Sequence, residues 1–244
     1  MRKKTLAVAI LVTAGLLAAV FVALILKQKI HLNHPSDSKY PVQGVDVSSY
    51  QGEIDWKVLS EENISFAYIK ATEGSSFTDS SFAYNYEEAG KTNLRVGAYH
   101  FFSFDSKGIT QAENYISVVE KKDNMLPPVV DFEFYGDKAK NPPDASETET
   151  ELRVLLETLE EHYGMKPVIY ATERTYGKYL SGKFDDYDIW IRNVYFKPLH
   201  GNWKFWQYSC TGELAGYNGK EKYVDLNVFK GSREEFESYA KPHS

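Results

Sequence analysis

The sequence predicts an α/β fold, an irregular (β/α)8-like barrel of the TIM type with one transmembrane helix before it. Eight short β-rich runs follow residue 44, and helical patterns separate the early ones. Strands that alternate with helices indicate a parallel sheet, and eight of them indicate a closed barrel. The gaps between the last three runs are too short for full helices. We therefore expect incomplete helices in the second half of the barrel.

The predicted strands are short runs, several of them apolar on both faces, as buried parallel strands are. They are GVDVS (44–48), FAYIK (66–70), RVGAYHFF (95–102), PPVVDFEF (127–134), PVIYA (167–171), DIWIRN (188–193), KFWQYS (204–209) and YVDLNVF (223–229). The helical patterns cover Asp79–Asn93, Gly108–Lys122 and Ser146–Tyr163. The third helix is predicted to begin with a capping box from Ser146 to Glu149 and to end before Gly164.

The first 29 residues differ in composition from the rest, with five basic residues and no acid. The uncharged run Leu6–Leu26 is long enough to span about 30 Å, one bilayer core, and the preceding basic residues favour a cytoplasmic N-terminus. We predict a signal anchor over 1–29, a tether over 30–43 and a barrel over 44–244, held at the cell membrane with the barrel outside. The alternative is a cleaved signal peptide and a secreted protein.

Charge and cysteine content exclude several classes of protein. Removing the five basic residues of 1–29 from 28 leaves 23 against 34 acids, so residues 30–244 carry about −11. That charge is a poor match for a phosphate backbone, so nucleic acid is not an expected partner. One cysteine, Cys210, excludes an internal disulfide and a zinc site built on several cysteines. The histidines show no metal-ligand spacing, and we expect no metal, no cofactor and a monomer.

Four carboxylates lie inside apolar runs near predicted strand ends, where barrels of this type carry their chemistry. They are Asp46, Asp131, Glu133 and Asp225. A buried charge is costly unless something compensates it, which makes these positions unusual. Asp131 and Glu133 are two residues apart on one strand, so both side chains face the same side, the barrel mouth. The phenylalanines at 132 and 134 face the opposite side.

A close pair of carboxylates raises one pKa and lowers the other, which supplies the acid and the anion that cleave a glycosidic bond. Taken alone, such a pair is also compatible with a solvated strand end or a salt bridge. The acids at 46 and 225 on other strands favour the catalytic interpretation.

Aromatic and amide side chains form a second group near the strand ends. Aromatic faces suit the apolar C–H faces of sugars, and amides can hydrogen-bond sugar substituents. The candidate saccharide-binding residues are Tyr99, Tyr170, Trp190, Trp206, Gln51 and Gln207. Core packing and turn positions are the alternatives. We also expect His100 to pack in or near the third strand, and Lys70 to pair with Glu73 or with the barrel carboxylates.

The motifs that contain these residues resemble the glycoside hydrolase family 25 lysozymes, which are N-acetylmuramidases. The matching segments, in the order of the family, are GVDVSSYQGEIDW (44–56), FAYIKATEG (66–74), GAYHFF (97–102), PPVVDFEF (127–134), PVIYA (167–171), FWQYS (205–209) and VDLNVF (224–229). The resemblance implies an irregular barrel that cleaves the β-1,4 bond from N-acetylmuramic acid to N-acetylglucosamine in peptidoglycan. Peptidoglycan strands are then the expected partner.

The resemblance also implies residue roles, with Glu133 as general acid and Asp131 as its partner. Asp46 and Asp225 are implied as flanking acids, and Tyr99, Tyr170, Trp206 and Gln207 as the saccharide-binding wall. The segment IWIRN departs from the small-residue and aromatic pattern of the family, so Arg192 and Asn193 are expected to alter a subsite there.

Two other functions and two mechanisms stay open from the sequence. The other functions are a non-catalytic cell-wall saccharide-binding protein and a hydrolase of another N-acetylated glycan such as chitin. In one mechanism the 2-acetamido oxygen of the substrate attacks the anomeric carbon while Asp131 orients the amide. In the other, an aspartate acts as base for direct attack by water.

Overall fold

The structure, a computed structural model, describes residues 2–27, 29–30 and 32–240, with side chains from residue 10 onward. Helix α1 spans Arg2–Leu26. No helix in these ranges is long and apolar enough to cross a membrane, so the predicted transmembrane helix is not supported. The side chains of the basic flank at residues 2–4 lie outside the described residues.

The predicted eight-stranded barrel is confirmed. Its strands are β1 (Gln43–Val47), β2 (Phe66–Glu73), β4 (Arg95–Phe101), β5 (Val129–Phe132), β6 (Val168–Thr172), β7 (Ile189–Arg192), β8 (Trp203–Gly212) and β9 (Val224–Phe229). Neighbours follow chain order, and β1 pairs with both β2 and β9, which closes the sheet. A short additional strand, β3 (Phe77–Thr78), forms a hairpin with the end of β2.

The expectation that all barrel strands run parallel is wrong for the last one. Strand β9 is antiparallel to both β8 and β1, whereas the pairs from β1 to β8 are parallel. The physical reason is the connection from β8, which spans only residues 213–223 and contains no helix. A parallel crossover needs a dozen or more residues, usually a helix, while a short loop joins antiparallel neighbours.

Helices cover the first half of the barrel and become short in the second, as expected. They are α2 (Trp56–Leu59), α3 (Phe82–Ala89), α4 (Gly108–Val118), α5 (Ala145–Tyr163), α6 (Glu173–Thr175), a π-helix over 176–180, and α7 (Arg233–Ser238). The predicted capping box of α5 is wrong, because Asp144 is the N-cap and accepts a hydrogen bond from the Glu147 amide. The predicted end is confirmed, since Gly164 is left-handed at φ 67°.

The apolar core has two layers, separated by the sheet. Between barrel and helices, Phe132 packs against Phe102 and Tyr179 with ring centroids 5.2 and 5.4 Å apart, so the phenylalanine side of the D-x-E strand faces outward as predicted. Inside the barrel, large aromatic side chains fill the end away from the mouth. Glycines 44 and 97 make room for them, because a Cβ at either position would overlap a neighbouring aromatic ring.

Part of the predicted tether packs on the barrel. Tyr40 is buried, with its ring edge-on to Trp206 at 6.1 Å, and Val42 is buried in the barrel interior. The Asn33 amide donates to the backbone carbonyls of Asn193 and Tyr208. The contacts of Asn33 and Tyr40 attach this segment to the outer side of β7 and β8, and Val42 then lies in the barrel interior directly before β1.

Candidate active site

An open pocket of about 400 Å³ occupies the mouth of the barrel. Its lining includes all four predicted carboxylates, Asp46, Asp131, Glu133 and Asp225. Loop residues complete the wall. They come from the segment after β1 and from the β8–β9 connection, and they include Ser48, Tyr50, Gln51, Glu221 and Tyr223. The structure therefore brings together acids that are up to 179 positions apart in the chain, counted from 46 to 225.

Strand direction and register explain how the acids meet. Asp131 is the third residue of β5, and Glu133 follows that strand directly. Asp225 is at the beginning of its strand, not at the end, and it reaches the mouth only because β9 runs antiparallel. In the β1–β9 ladder Asp225 lies directly opposite Asp46. Side chains of directly opposed residues are neighbours on one face of a sheet.

A hydrogen-bond network inside the barrel holds Asp46. The Gln207 amide donates to both Asp46 carboxylate oxygens at 3.0 and 3.3 Å, and the Asn227 amide donates to Oδ2 at 2.7 Å. The two amides are themselves fixed, since the Tyr170 hydroxyl donates to Gln207 at 3.1 Å and the Trp190 indole donates to Asn227 at 3.0 Å. Asp46 is thereby locked in one orientation toward the pocket.

Burial raises the pKa of both carboxyls of the D-x-E pair. For Asp131, burial is the largest cause of the raised pKa, and the negative charges of Glu133 and Asp46 raise it further. The pKa of Asp131 is therefore well above the ordinary value. For Glu133, burial and the charge of Asp46 raise the pKa, while the cations Arg192 and Lys70 oppose the shift. The pair is thus arranged to hold a proton at a pH where free carboxyls are ionised.

The second pair of acids shows the same effect. Burial and the adjacent charge of Asp46 raise the pKa of Asp225 well above its ordinary value. Burial also raises the pKa of Asp46, although hydrogen bonds from Asn227 and Gln207 oppose the shift. Hydrogen bonds donated to a carboxylate favour its charged form, so Asp46 is the better anion of this pair.

Two cations face this acidic pocket, Lys70 and Arg192. Lys70 pairs with Glu73, with Nζ 2.7 Å from Oε2, which confirms one of the two predicted pairings. Its ammonium also lies over the ring of Phe101, 4.9 Å from the centroid. Of the two unusual residues of IWIRN, Arg192, the last residue of β7, lines the pocket and Asn193 does not, and an altered subsite stays a prediction.

Three predicted aromatic residues line the pocket at different depths. Tyr99 and Tyr170 form part of the wall, and Trp190 forms the floor with only 1% of its surface exposed. The indole N–H of Trp190 donates a hydrogen bond to the Asn227 side chain. Trp190 therefore supports the site from below the pocket. The Tyr170 hydroxyl is likewise engaged, because it donates a hydrogen bond to Gln207.

The prediction for Trp206 is wrong. Its side chain faces the outer core, where it packs against Tyr40 and Trp203 and donates to the Asn193 carbonyl at 2.9 Å. Its neighbour Gln207 faces inward and is 1% exposed, so it holds Asp46 and does not line the pocket. Consecutive residues of a strand face opposite sides, which prevents both from lining one wall.

Gln51 lines the pocket, but its amide ties two loops together. Its nitrogen donates to the Tyr223 carbonyl at 2.9 Å, and its oxygen accepts from the Ser48 amide at 3.0 Å. The sequence analysis missed Asn227, which binds Asp46 most closely. The signal was available, because Asn227 is two residues after Asp225 and therefore faces the same side.

His100 packs on the outer side of the third parallel strand, as predicted. Its ring nitrogens contact Thr72 Oγ1 at 2.8 Å and Gln111 Oε1 at 3.0 Å, and burial lowers its pKa to about 4. Among the described residues, no group of three or more His, Cys, Asp or Glu side chains has the arrangement of a metal site.

Comparison with known proteins agrees with this architecture. The chain is 53% identical to a family 25 glycosyl hydrolase from Bacillus anthracis, with a TM-score of 0.81, over 87% of this chain and 98% of that one. The bacterial lysozyme from Streptomyces coelicolor is 30% identical with a TM-score of 0.71, over 82% and 96%. Lysozyme M1 of Streptomyces globisporus is 33% identical over 217 residues, covering 81% of this chain and 70% of that protein.

The profile of a single family matches most of the folded region. Residues 45–217 match the glycosyl hydrolases family 25, a range that contains Asp46, Asp131 and Glu133. This range is more than half of the 244-residue chain, and the resemblance carried by the sequence motifs is confirmed. The protein is therefore a glycoside hydrolase and belongs to glycosyl hydrolases family 25.

Proposed function

We propose that this protein cleaves the β-1,4 bond between N-acetylmuramic acid and N-acetylglucosamine in peptidoglycan. The observation that carries the proposal is the meeting of four half-buried carboxylates around one open pocket, with Asp131 in β5 and Glu133 directly after that strand. The names of similar proteins support the substrate, since they include Lysozyme M1 and an N,O-diacetylmuramidase from Arthroderma benhamiae.

In this proposal Glu133 is the general acid. Its proton passes to the glycosidic oxygen as the bond from that oxygen to the anomeric carbon breaks, and the bonding electron pair stays on the oxygen. A buried carboxyl with a raised pKa keeps the proton that this step needs. Glu133 then takes a proton from the water that completes hydrolysis.

Asp131 supports a neighbouring-group route. Its Oδ1 is buried and has no hydrogen-bond partner among the described residues. An acetamido N–H of the substrate is a donor of the right kind for this oxygen. The bond would lower the pKa of Asp131 and leave the proton of the pair on Glu133, while the oriented acetamido oxygen attacks the anomeric carbon.

Analysis of reaction products tests the function. The full-length protein is incubated with purified peptidoglycan, and the fragments are reduced and analysed by mass spectrometry. New reducing ends on N-acetylmuramic acid are the expected result. Ends on N-acetylglucosamine, or cleavage of chitin alone, would contradict the bond assignment, and intact glycan with retained binding would indicate a saccharide-binding protein.

We also propose that the barrel works outside the cytoplasmic membrane, where peptidoglycan lies. The composition of residues 1–29, with five basic residues and no acid, supports export. Membrane attachment through residues 6–26 and a monomeric state stay predictions, with release after cleavage as the alternative to attachment. N-terminal sequencing of the mature protein separates the two, because a new N-terminus between residues 20 and 40 means release.

A further inference from the structure

Arg192 is a charged group in the pocket wall that the proposed chemistry does not use. It ends β7, two residues after Trp190, and strand alternation turns both side chains into the barrel. The residue between them, Ile191, is fully buried in the outer core. Arg192 lines the same pocket as Glu133 and Asp225, and the charges of both act on its guanidinium.

The guanidinium keeps donors available to a ligand. Lys70, the other cation of the pocket, is engaged by Glu73 at 2.7 Å. Among the ion pairs of the described residues, none involves Arg192. Its side chain is partly exposed, and the Cys210 thiol is within hydrogen-bond reach. A guanidinium carries five N–H donors in a planar fork and stays charged, so one thiol leaves most of the fork unused.

The backbone that presents Arg192 is firmly held. Asn193 is 6% exposed, and its side chain turns away from the pocket to donate to Glu173 at 3.1 Å. The same side chain accepts hydrogen bonds from the amides of Tyr195 and Phe196. Of the two unusual residues in IWIRN, Asn193 therefore anchors the turn and Arg192 faces the pocket. A binding group on a rigid element loses little entropy when it engages a ligand.

The charge of the pocket indicates what Arg192 can recognise. Four carboxylates surround the reaction site, and they repel an anionic substrate group unless a cation compensates them. A planar guanidinium binds a carboxylate through two parallel hydrogen bonds, which fix its position as well as its charge. A neutral N-acetylated glycan offers no such group, whereas muramic acid has a free lactyl carboxylate where no stem peptide is attached, and attached stem peptides carry carboxylates of their own.

We propose that Arg192 binds a carboxylate carried by the saccharide next to the scissile bond and thereby selects acidic glycans over neutral ones. The inference rests on the proposed function and deepens it, because it assigns one residue to the distinction between peptidoglycan and chitin-like substrates. Arg192 is a specificity-determining residue in this account and takes no part in proton transfer.

The test compares three substrates with the full-length wild type and Arg192→Gln. They are peptidoglycan with intact stems, the same material with its carboxylates amidated, and glycan strands from which an amidase has removed the stems. We expect kcat/KM of the wild type to be about 10- to 100-fold higher on an acidic substrate than on the amidated one, the range of a charge-assisted pair. A preference for the strands without stems would indicate the lactyl carboxylate as the bound group. A preference for the material with intact stems would indicate a stem-peptide carboxylate.

In Arg192→Gln this preference should disappear, chiefly through a higher KM on the acidic substrates, so that the ratio of kcat/KM on an acidic substrate to that on the amidated one falls to about one. Arg192→Lys should restore part of the preference, since it returns the charge without the planar fork. Arg233→Gln is the matched control, because it removes the same charge from an exposed position on α7 and should leave the preference intact.

The outcomes separate the inference from the function beneath it. Equal losses on acidic and amidated substrates would show a structural role and overturn the inference. A wild type that cleaves both equally well overturns the inference while the proposed function stands. If none of the three substrates is cleaved, the proposed function falls and the inference falls with it.

Discussion

The two ends of the barrel interior are built from opposite chemistry. At the closed end, Phe66, Phe205, Phe229 and Phe236 pack with ring centroids between 5.1 and 5.5 Å apart. At the mouth, four carboxylates share a pocket in which burial raises every one of their pKa values. The closed end stabilises the fold through buried apolar area, and the mouth opposes folding because it desolvates charge.

The boundary between the two ends is a layer of amides. Gln207 and Asn227 are almost fully buried, and they bind Trp190 and Tyr170 on one side and Asp46 on the other. An amide has both donors and acceptors, so it can join an aromatic N–H or O–H to a carboxylate with no unpaired atom left over. The same strands therefore carry stability at the closed end of the barrel and chemistry at its mouth.

The largest expected effect is on activity at the mouth. Glu133→Gln removes the proposed general acid while keeping the size of the side chain, and kcat should fall by about 10²–10⁴-fold. The melting temperature should not fall, because no folded-state ion pair is lost. The rate at which glycan fragments are released from peptidoglycan and the thermal unfolding curve are measured on the same preparation. Turnover within threefold of wild type in a folded variant would reject the assignment.

The largest expected effect on stability is at the closed end. Phe205 is fully buried, and Phe205→Ala should lower the free energy of unfolding by about 3–5 kcal/mol through lost contacts and a cavity. Phe196→Ala is the matched control, since Phe196 is 49% exposed and its loss should cost less than about 0.5 kcal/mol. Denaturant titration measures both. Similar values for the two variants would remove the distinction between the ends.

Asp46→Asn tests the electrostatics of the mouth. The charge of Asp46 helps to raise the pKa of Glu133, so its removal lowers that pKa. The basic limb of the pH–rate profile reports loss of the proton from the general acid, and it should therefore move to lower pH. Glu157→Gln, an exposed change on α5, should leave both limbs in place. A shift to higher pH would contradict the proposed coupling.

The smallest expected effect is a gain in thermal stability when Asp225, at the mouth, is replaced by Asn. The pKa of Asp225 is raised in the folded state, so the folded protein holds this proton after the unfolded chain has released it. Stability from this group is present below its ordinary pKa and is lost as the pH rises through the folded value. Asp225→Asn keeps a donor toward Asp46 and removes the ionisation.

The melting temperature of Asp225→Asn should therefore exceed that of wild type by about 2–4 °C near pH 8, which corresponds to about 1 kcal/mol. The gain should shrink as the pH falls below 3.8, the ordinary pKa of the group, because Asp225 is then protonated in both states. Thermal unfolding at several pH values measures this trend. A melting temperature below that of wild type at pH 8 would show that the charged form of Asp225 stabilises the mouth.

Local patterns predicted much of the fold and of the site. The eight β-rich runs and the three longest helices of the barrel region are recognisable because strand and helix periodicity is a property of neighbouring residues. The same periodicity placed Asp131 and Glu133 together, with Phe132 on the outer face. The same alternation prevents Trp206 and Gln207 of FWQYS from sharing one wall, because adjacent residues of a strand face opposite sides.

The sequence by itself determined which residue types could meet on one face, since that depends only on alternation along a strand. Tertiary structure decided which strands lie side by side and at what height. The short β8–β9 connection reversed the last strand and brought Asp225 opposite Asp46. Barrel closure placed Gln207 and Asn227 beneath Asp46 and left Arg192 facing the pocket. Register between strands distant in the chain arises from closing the whole sheet, so no local pattern contains it.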